Sequence, residues 1–261
     1  MTYQVGNELD ISVVVPAHNS GELIERTVEL LAVRLAGTSA ELIVVENGST
    51  DDTWARCGRL AEAWQTPGVS FLPLQSAKGM GNALRTGIQA SRGRSVLLTA
   101  DDLPFGFDDL DHLDRLAAES EADLPPMLIG SKAHPDSAAD RGAWRGLLTW
   151  GFSILRRLVL GMRTRDPQGT LIVDGRLVRE LAQRAPEAGF LFTTELVYLV
   201  ERIGVHPLEV PVRLSRSHQI HRSRISGRDA LSMTIGLVRL RVRHHGRRLP
   251  DRVSVGRPPA R

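Results

Sequence analysis

Residues 11–53 read ISVVVPAHNSGELIERTVELLAVRLAGTSAELIVVENGSTDDT, and this stretch decides the fold class. A β-branched run, Ile11–Val15, halts at Pro16. An amphipathic segment follows over Glu22–Leu35, and a second apolar run, Leu42–Val45, ends in Glu46 and a glycine turn. Strand, helix and strand, with a polar loop at each strand exit, make a βαβ unit. The pattern continues outward with a helix near Asp51–Trp64, strand Val69–Leu74, a helix near Gly81–Ser91 and strand Ser95–Thr99. An α/β fold is expected, with a mainly parallel sheet and helices on both faces. Ligands of such sheets bind beyond the carboxyl ends of the strands. That rule directs attention to Pro16–Ser20, Glu46–Thr50, Gln75–Gly81 and Ala100–Gly106.

The second half reads as a helix over Phe107–Leu116, strand Met127–Gly130 and a long helix near Trp144–Leu160. A loop at Arg163–Thr170 leads to strand Leu171–Val173. A helix near Thr194–Ile203, strand His206–Val212 and a last helix from Gly227 to about Arg243 complete the pattern. Residues 1–227 are expected to form the main domain and 228–261 a basic helix and tail.

With 42% hydrophobic and 24% charged residues, the 261-residue chain has the composition of an ordinary folded protein. Its single cysteine, Cys57, excludes an internal disulfide and a cysteine-built zinc site. A reducing, cytoplasmic setting is therefore expected. The start lacks a basic head followed by an apolar run, and Leu147–Leu155 is too short to span a bilayer.

The net charge of +3 hides an asymmetry, because Arg213–Arg261 holds thirteen arginines against Asp229 and Asp251. Such a segment is either a solvated tail or a surface for anionic lipid or phosphate. Nucleic acid is not expected, because the segment has no aromatic residue to stack on bases.

Three strand exits carry the chemistry. In Glu46-Asn47-Gly48-Ser49-Thr50-Asp51-Asp52, Ser49 or Thr50 is expected to cap the next helix. Glu46 and Asn47 offer a carboxylate and an amide to the edge of a nucleobase. Lys78-Gly79-Met80-Gly81 opens a helix, where backbone N–H groups can approach phosphate, and Arg85 adds a positive charge one turn on. Ala100-Asp101-Asp102 leaves a fully apolar strand. Adjacent carboxylates repel and call for a cation, and hard oxygen ligands suit Mg²⁺ or Mn²⁺ bridging a diphosphate.

These residues resemble the family-2 GT-A glycosyltransferases, and among them the dolichol- and polyprenyl-phosphate sugar synthases. Val14-Val15-Pro16-Ala17-His18-Asn19 is similar to their nucleotide-binding strand end. Glu46-Asn47-Gly48-Ser49-Thr50-Asp51 resembles their Asp-Asp-Gly-Ser-Thr-Asp, and Lys78-Gly79-x-Gly81-Asn82-Ala83 their Lys-Gly-x-Gly-x-Ala. Ala100-Asp101-Asp102-Leu103 resembles their Asp-Ala-Asp-Leu metal motif. The chain departs from the pattern twice: Ser20 stands where the family usually has Glu after Asn, and the first metal-motif Asp is Ala100, with Asp gained at position 101.

The resemblance implies a GT-A fold and a nucleotide-diphosphate sugar donor. It implies nucleotide contacts from Pro16, Ala17, Asn19, Glu46, Asn47, Ser49, Lys78 and Asp101, and a metal held by Asp102 with Asp101. In the second half, Gly130-Ser131-Lys132 resembles a segment whose cation meets the acceptor phosphate, as does Arg145 before Thr149. Asp166-Pro167-Gln168, Thr194-Glu195-Leu196 and Glu209-Val210-Pro211-Val212 resemble further family elements. Lys132, Arg145, Gln168 and Glu195 are thus expected at the acceptor. Arg216, Arg222 and Arg224 stand where the family keeps cations near the donor diphosphate, which makes Arg222 and Arg224 candidate catalytic residues beside Asp102.

The implied reaction is inverting sugar transfer to polyprenyl phosphate, by an enzyme peripheral to the inner membrane face. Alternatives are a soluble hydroxyl or glycan acceptor, with Asp166 or Glu195 as base, or a nucleotide-sugar-binding relative without turnover. A nucleotidyltransferase fits less well, because Pro16–Glu22 is not a glycine-rich basic loop.

Overall fold

The structure, a computed structural model, describes residues 9–119, 124–137, 142–213 and 227–246. In chain order its elements are β1 (Ile11–Ala17), α1 (Gly21–Leu35), β2 (Ala40–Glu46), α2 (Thr53–Glu62), β3 (Val69–Gln75), α3 (Met80–Ala90) and β4 (Ser95–Leu98). These are followed by α4 (Asp108–Glu119), β5 (Met127–Ser131), α5 (Gly142–Leu160), β6 (Thr170–Asp174), α6 (Gly175–Ala182), α7 (Phe192–Arg202), β7 (Leu208–Pro211) and α8 (Gly227–His244). The chain divides into two compact units, 1–102 with 171–189, and 103–170 with 190–261.

In the first unit the strands lie in the order β3-β2-β1-β4-β6. The β1–β2, β2–β3 and β1–β4 pairs are parallel, and β6 runs antiparallel to β4. The chain steps outward from β1 to β2 to β3, then returns to the other side of β1 to form β4. Right-handed crossovers then place α1 and α2 on one face and α3 on the other. Burial agrees, since every residue of β1 and β2 is buried, and α1 packs on α2 while α3 packs on α6. The α3 layer sits very close to the sheet: a Cβ on Gly87 would lie 2.3 Å from Val14 Cγ1.

The reversal between β1 and β4 is a topological switch point, where such sheets open a crevice. The last β1–β4 pair is Val14 with Leu98, and the Thr99 N–H still reaches the Val14 carbonyl. Alternation along the strand then aims the nitrogen of Pro16 toward β4, where the ladder has ended. Proline has no N–H to leave unsatisfied there.

In the second unit β5 and β7 pair in parallel, with Ile129 opposite Glu209. The α4 helix packs on both strands, and α5 packs on α8. Residues Phe192–Val200 of α7 are buried throughout. Leu237 and Leu240 of α8 are fully buried, so α8 belongs to this unit.

Local readings are corrected in two places. Helix α2 starts at Thr53 with Asp52 as N-cap, so neither Ser49 nor Thr50 caps it. Helix α6 was not expected. Asp174 caps it by accepting the Leu177 N–H at 2.9 Å, and Leu177, Val178, Leu181 and Ala182 form its buried stripe.

Candidate active site

The strand exits of the first unit are joined by one polar network. Asn47 donates from its backbone (3.0 Å) and its amide (2.8 Å) to the Ala17 carbonyl. Its amide oxygen accepts the Gly79 N–H at 3.2 Å, so one side chain ties the ends of β1 and β2 to the turn before α3. Glu46 accepts from the Ser49 N–H and, at 2.9 Å, from the Gln75 amide. Burial pushes Glu46 up, but donors from Ser49, Gln75 and Gly48 outweigh it and hold the carboxyl below its ordinary range.

Both residues, expected at a nucleobase edge, are 4% exposed and use these polar atoms within the loops. Buried backbone groups need partners: Glu46 and Asn47 accept the loop N–H groups of Ser49 and Gly79, and the Asn47 amide donates to the Ala17 carbonyl that ends β1. They shape the loops that a ligand would meet.

The loop after β1 is set by Asn19, whose φ of 52° is left-handed, a conformation asparagine tolerates. Its N–H donates to the Ser49 hydroxyl at 3.0 Å, and its amide oxygen accepts the Thr50 N–H at 2.8 Å. Thr53 Oγ1 accepts N–H groups from Ser20 and Gly21 at 2.8 and 3.0 Å and donates to Asp51 at 2.5 Å. That donation, chiefly, lowers the Asp51 carboxyl against slight burial. Pro16 and Ala17 are buried, Ser49 is half-buried, and Asn19 and Lys78 are exposed.

At the end of β4 the Ser20 hydroxyl donates to the Asp101 carboxylate, and the Thr27 hydroxyl to the Asp101 carbonyl. Asp101 is thereby fastened to both ends of the first turns of α1, and Asp102 follows on the same turn. Both acids are half-buried. Leu103 closes the turn at a φ of 42° with its side chain buried. A left-handed leucine costs about 1–3 kcal/mol and persists only where its surroundings hold it. Two carboxylates on a fixed turn fit a Mg²⁺ or Mn²⁺ ion completed by phosphate oxygens. Among the described residues, no group of three His, Cys, Asp or Glu side chains comes together as a metal cage.

The helix end expected to cradle phosphate is instead capped by protein. The Ala188 carbonyl accepts the N–H groups of Gly81 and Asn82 at 2.8 and 3.3 Å. Gly79 has a φ of 128°, and a Cβ there would lie 2.4 Å from the same carbonyl. Arg85 donates to the carbonyls of Ala185 (2.6 Å) and Glu187 (3.1 Å), so it clamps this loop and is not placed as a diphosphate cation. Cys57 is buried, and burial with the Glu46 charge pushes its thiol up to about 11, which rules out a thiolate nucleophile at neutral pH.

In the second unit, Lys132 donates its backbone N–H to Asp166 at 2.9 Å, and its ammonium lies 5.3 Å above the Phe105 ring. The amide of exposed Gln168 reaches the Phe190 carbonyl at 3.4 Å. Arg145 lies on α5. Glu195 is fully buried and accepts from His244 at 2.7 Å and Arg243 at 2.9 Å. Expected at the acceptor or as a base, it is here an internal partner of α8. Arg216, Arg222 and Arg224 lie outside the described residues.

Sequence reasoning missed Ser20, noted only as a departure, and Thr53, whose hydroxyl joins α1 to α2. A hydroxyl two residues after Asp51 was the available signal.

Comparison with known proteins agrees with this architecture. A family model described as Glycosyl transferase family 2 matches residues 12–141. Dolichyl-phosphate beta-glucosyltransferase of Drosophila melanogaster is 32% identical over 219 residues, covering 78% of this chain and 67% of that protein. Glycosyltransferase AglD of Haloferax volcanii is 29% identical over 209 residues; the match spans 78% of this chain but a third (33%) of AglD. Glucosyl-3-phosphoglycerate synthase from Mycobacterium tuberculosis, solved with Mn²⁺, UDP-glucose and phosphoglyceric acid, superposes with a TM-score of 0.60 at 21% identity. That superposition covers 89% of this chain and 79% of the synthase, and it bears on the fold alone.

Proposed function

The chain belongs to glycosyl transferase family 2, and from that premise we propose that it transfers one sugar from a nucleotide-diphosphate donor to polyprenyl phosphate, with inversion. The observation that carries the donor half is the fastened pair Asp101–Asp102 at the β1–β4 switch point. The acceptor half rests on the relatives named dolichyl-phosphate beta-glucosyltransferase.

Asp102, with Asp101 behind it, would hold the divalent cation. When bound, the cation would neutralise the leaving diphosphate as its charge develops. Asn19, Ser49 and Lys78 present exposed or half-exposed polar groups for the nucleotide on loops whose shape Glu46, Asn47 and Gly79 set. A phosphate acceptor is already anionic at neutral pH and needs positioning more than a base. Lys132 and Arg145 are the cations proposed for it, and Gln168 the proposed amide. Arg222 and Arg224 remain the proposed cations for the diphosphate. A hydroxyl acceptor would need a positioned base. The sealed Glu195 does not offer one, and Asp166 is engaged with the Lys132 backbone.

The membrane part of the proposal rests on α5 and α8. Leu237, Leu240 and His244 bury one side of α8, while Ile235, Val238 and Val242 are 42%, 48% and 70% exposed. Ile154 and Leu158 of α5 are also exposed, and Arg157, Arg239 and Arg241 are exposed among them. Apolar side chains bordered by arginine suit an anionic lipid surface. Among the described residues no helix is long and apolar enough to cross a membrane.

The test is to incubate the protein with radiolabelled nucleotide sugars, Mn²⁺ and membranes and to extract with organic solvent. Label in the organic phase supports the proposal. Label confined to water-soluble products would move the acceptor to a soluble compound.

A further inference from the structure

The segment Arg163–Asp166 has no helix or strand, yet its backbone is held almost atom by atom by charged side chains. Glu201 accepts the Arg163 N–H at 2.9 Å, the Thr164 N–H at 2.7 Å and the Thr164 hydroxyl at 2.5 Å. Glu209 takes the next two, Arg165 and Asp166, each at 3.0 Å through a different oxygen. From the opposite side, Arg156 donates to the carbonyls of Thr164 (3.0 Å) and Arg165 (2.6 Å). Three charges from α5, α7 and β7 thus converge on one strap.

Charged partners for a loop backbone are unusual, because water would serve a surface loop at no desolvation cost. Arg156 is only 5% exposed. Burial pulls its guanidinium below the ordinary value, against the opposing charges of Asp166, Glu209 and Glu201. Buried charge is unfavourable unless its partners are well placed, and what it returns here is a single backbone conformation. The strap is also pressed against β5: a Cβ on Gly169 would lie 2.0 Å from the Gly130 carbonyl.

The consequence reaches the residues proposed for the acceptor. Asp166, fixed by Glu209, accepts the Lys132 N–H at 2.9 Å. Thr164 and Pro167 turn inward and are buried, while Arg163, Arg165 and Gln168 are exposed. The alternation places two guanidinium groups and an amide along the outer edge of a fixed strap.

We infer that Arg156, Glu201 and Glu209 are positioning residues for an anionic acceptor: they lock the strap, and the strap sets Lys132 and presents Arg163 and Arg165 to the acceptor phosphate. This rests on the proposed phosphate acceptor. The lock acts on the acceptor step and not on the donor, because preorganised groups favour transfer by avoiding reorganisation when the acceptor arrives.

The test uses the full chain with Thr164→Val, which removes one hydroxyl and keeps its shape, and with Glu209→Gln, which removes one of two acceptor oxygens. Trypsin cleavage after Arg163 and Arg165, located by mass, reads the lock without any substrate. Acceptor KM, for polyprenyl phosphate and for glycerol 3-phosphate, is compared with donor KM and with hydrolysis of the donor by water. The expected result is cleavage and acceptor KM each raised by about 10-fold in Glu209→Gln, less in Thr164→Val, with donor KM and hydrolysis unchanged. Unchanged cleavage would overturn the lock. Faster cleavage with unchanged acceptor KM, or parallel loss of donor and acceptor use, would overturn the positioning role. If wild type ignores polyprenyl phosphate, the proposed lipid acceptor falls alone, because cleavage and the glycerol 3-phosphate KM still decide this inference.

Discussion

The hydroxyl of Ser20, at the start of α1, donates a hydrogen bond to the carboxylate of Asp101, at the end of β4. Both are positions where the chain departs from the pattern of the glycosyltransferases it resembles, and they touch. A glutamate at position 20 would set a second carboxylate against Asp101, and like charges at contact raise one another's proton affinity and repel. Serine at 20 and aspartate at 101 therefore form a matched pair.

The first expectation follows from that pairing. Ser20→Glu should weaken binding of Mn²⁺ with nucleoside diphosphate by about 10-fold, and adding Asp101→Ala should recover most of the loss, since contacting residues couple by about 0.5–3 kcal/mol. Calorimetric titration of the single and double variants measures this. Additive losses would show that the two positions do not compensate.

Gly79→Ala should cost about 1–3 kcal/mol of stability, because an alanine there meets both a left-handed backbone and the Ala188 carbonyl. Arg85→Ala, which frees the loop of Ala185–Ala188 without strain, should cost less. Urea denaturation ranks them. A Gly79→Ala variant as stable as wild type would remove the close approach from the account.

Glu46 gives a pH dependence of known sign. Its folded carboxyl lies below the ordinary 4.5. Its contribution is thus fully present above that value and fades as pH falls through the folded one. The stability gap between wild type and Glu46→Gln should be about 1–2 kcal/mol at neutral pH and close as pH drops below the carboxylate range. Urea midpoints from pH 7 to pH 3 test this (about 4 pH units, spanning the carboxylate range). A gap that does not change with pH would contradict it.

Much of this was legible locally. Each strand of the first unit is an apolar run broken by polar residues, so the strand exits, and with them the candidate loops, could be read from neighbours in sequence. What was not legible was long-range. Nothing near Glu195 announces its burial against His244, which lies 49 residues away. The Gly79–Gly81 turn reads as a phosphate cradle because nothing near it announces the Ala188 carbonyl. The Ser20–Asp101 bond spans 81 residues. Helix α6 is only eight residues long, so it is easily passed over, although Leu177, Val178, Leu181 and Ala182 recur at helical spacing.

The exposed side of α8 should carry the membrane affinity. Truncating at Gly227 would expose the core that Leu237 and Leu240 fill, so the suitable variant is Val238→Glu with Val242→Glu, both on the exposed side. Sedimentation with anionic vesicles should fall several-fold in this variant and fall with salt in wild type, since surface charge is screened over about 10 Å at 0.1 M. Equal sedimentation of the two proteins would end the membrane role of α8.

The proposed reaction delivers a sugar to a lipid phosphate at the Asp101–Asp102 turn. Its most direct test supplies purified protein with Mn²⁺, a nucleotide-diphosphate sugar and pure polyprenyl phosphate in detergent, and measures nucleoside diphosphate release together with lipid-linked sugar. The expected result is equal amounts of both products in wild type, with Asp102→Ala losing about 100-fold or more of the rate, the scale of removing a group that stabilises developing charge, while keeping its melting temperature. Nucleoside diphosphate released without lipid-linked sugar, or full activity in Asp102→Ala, would contradict it.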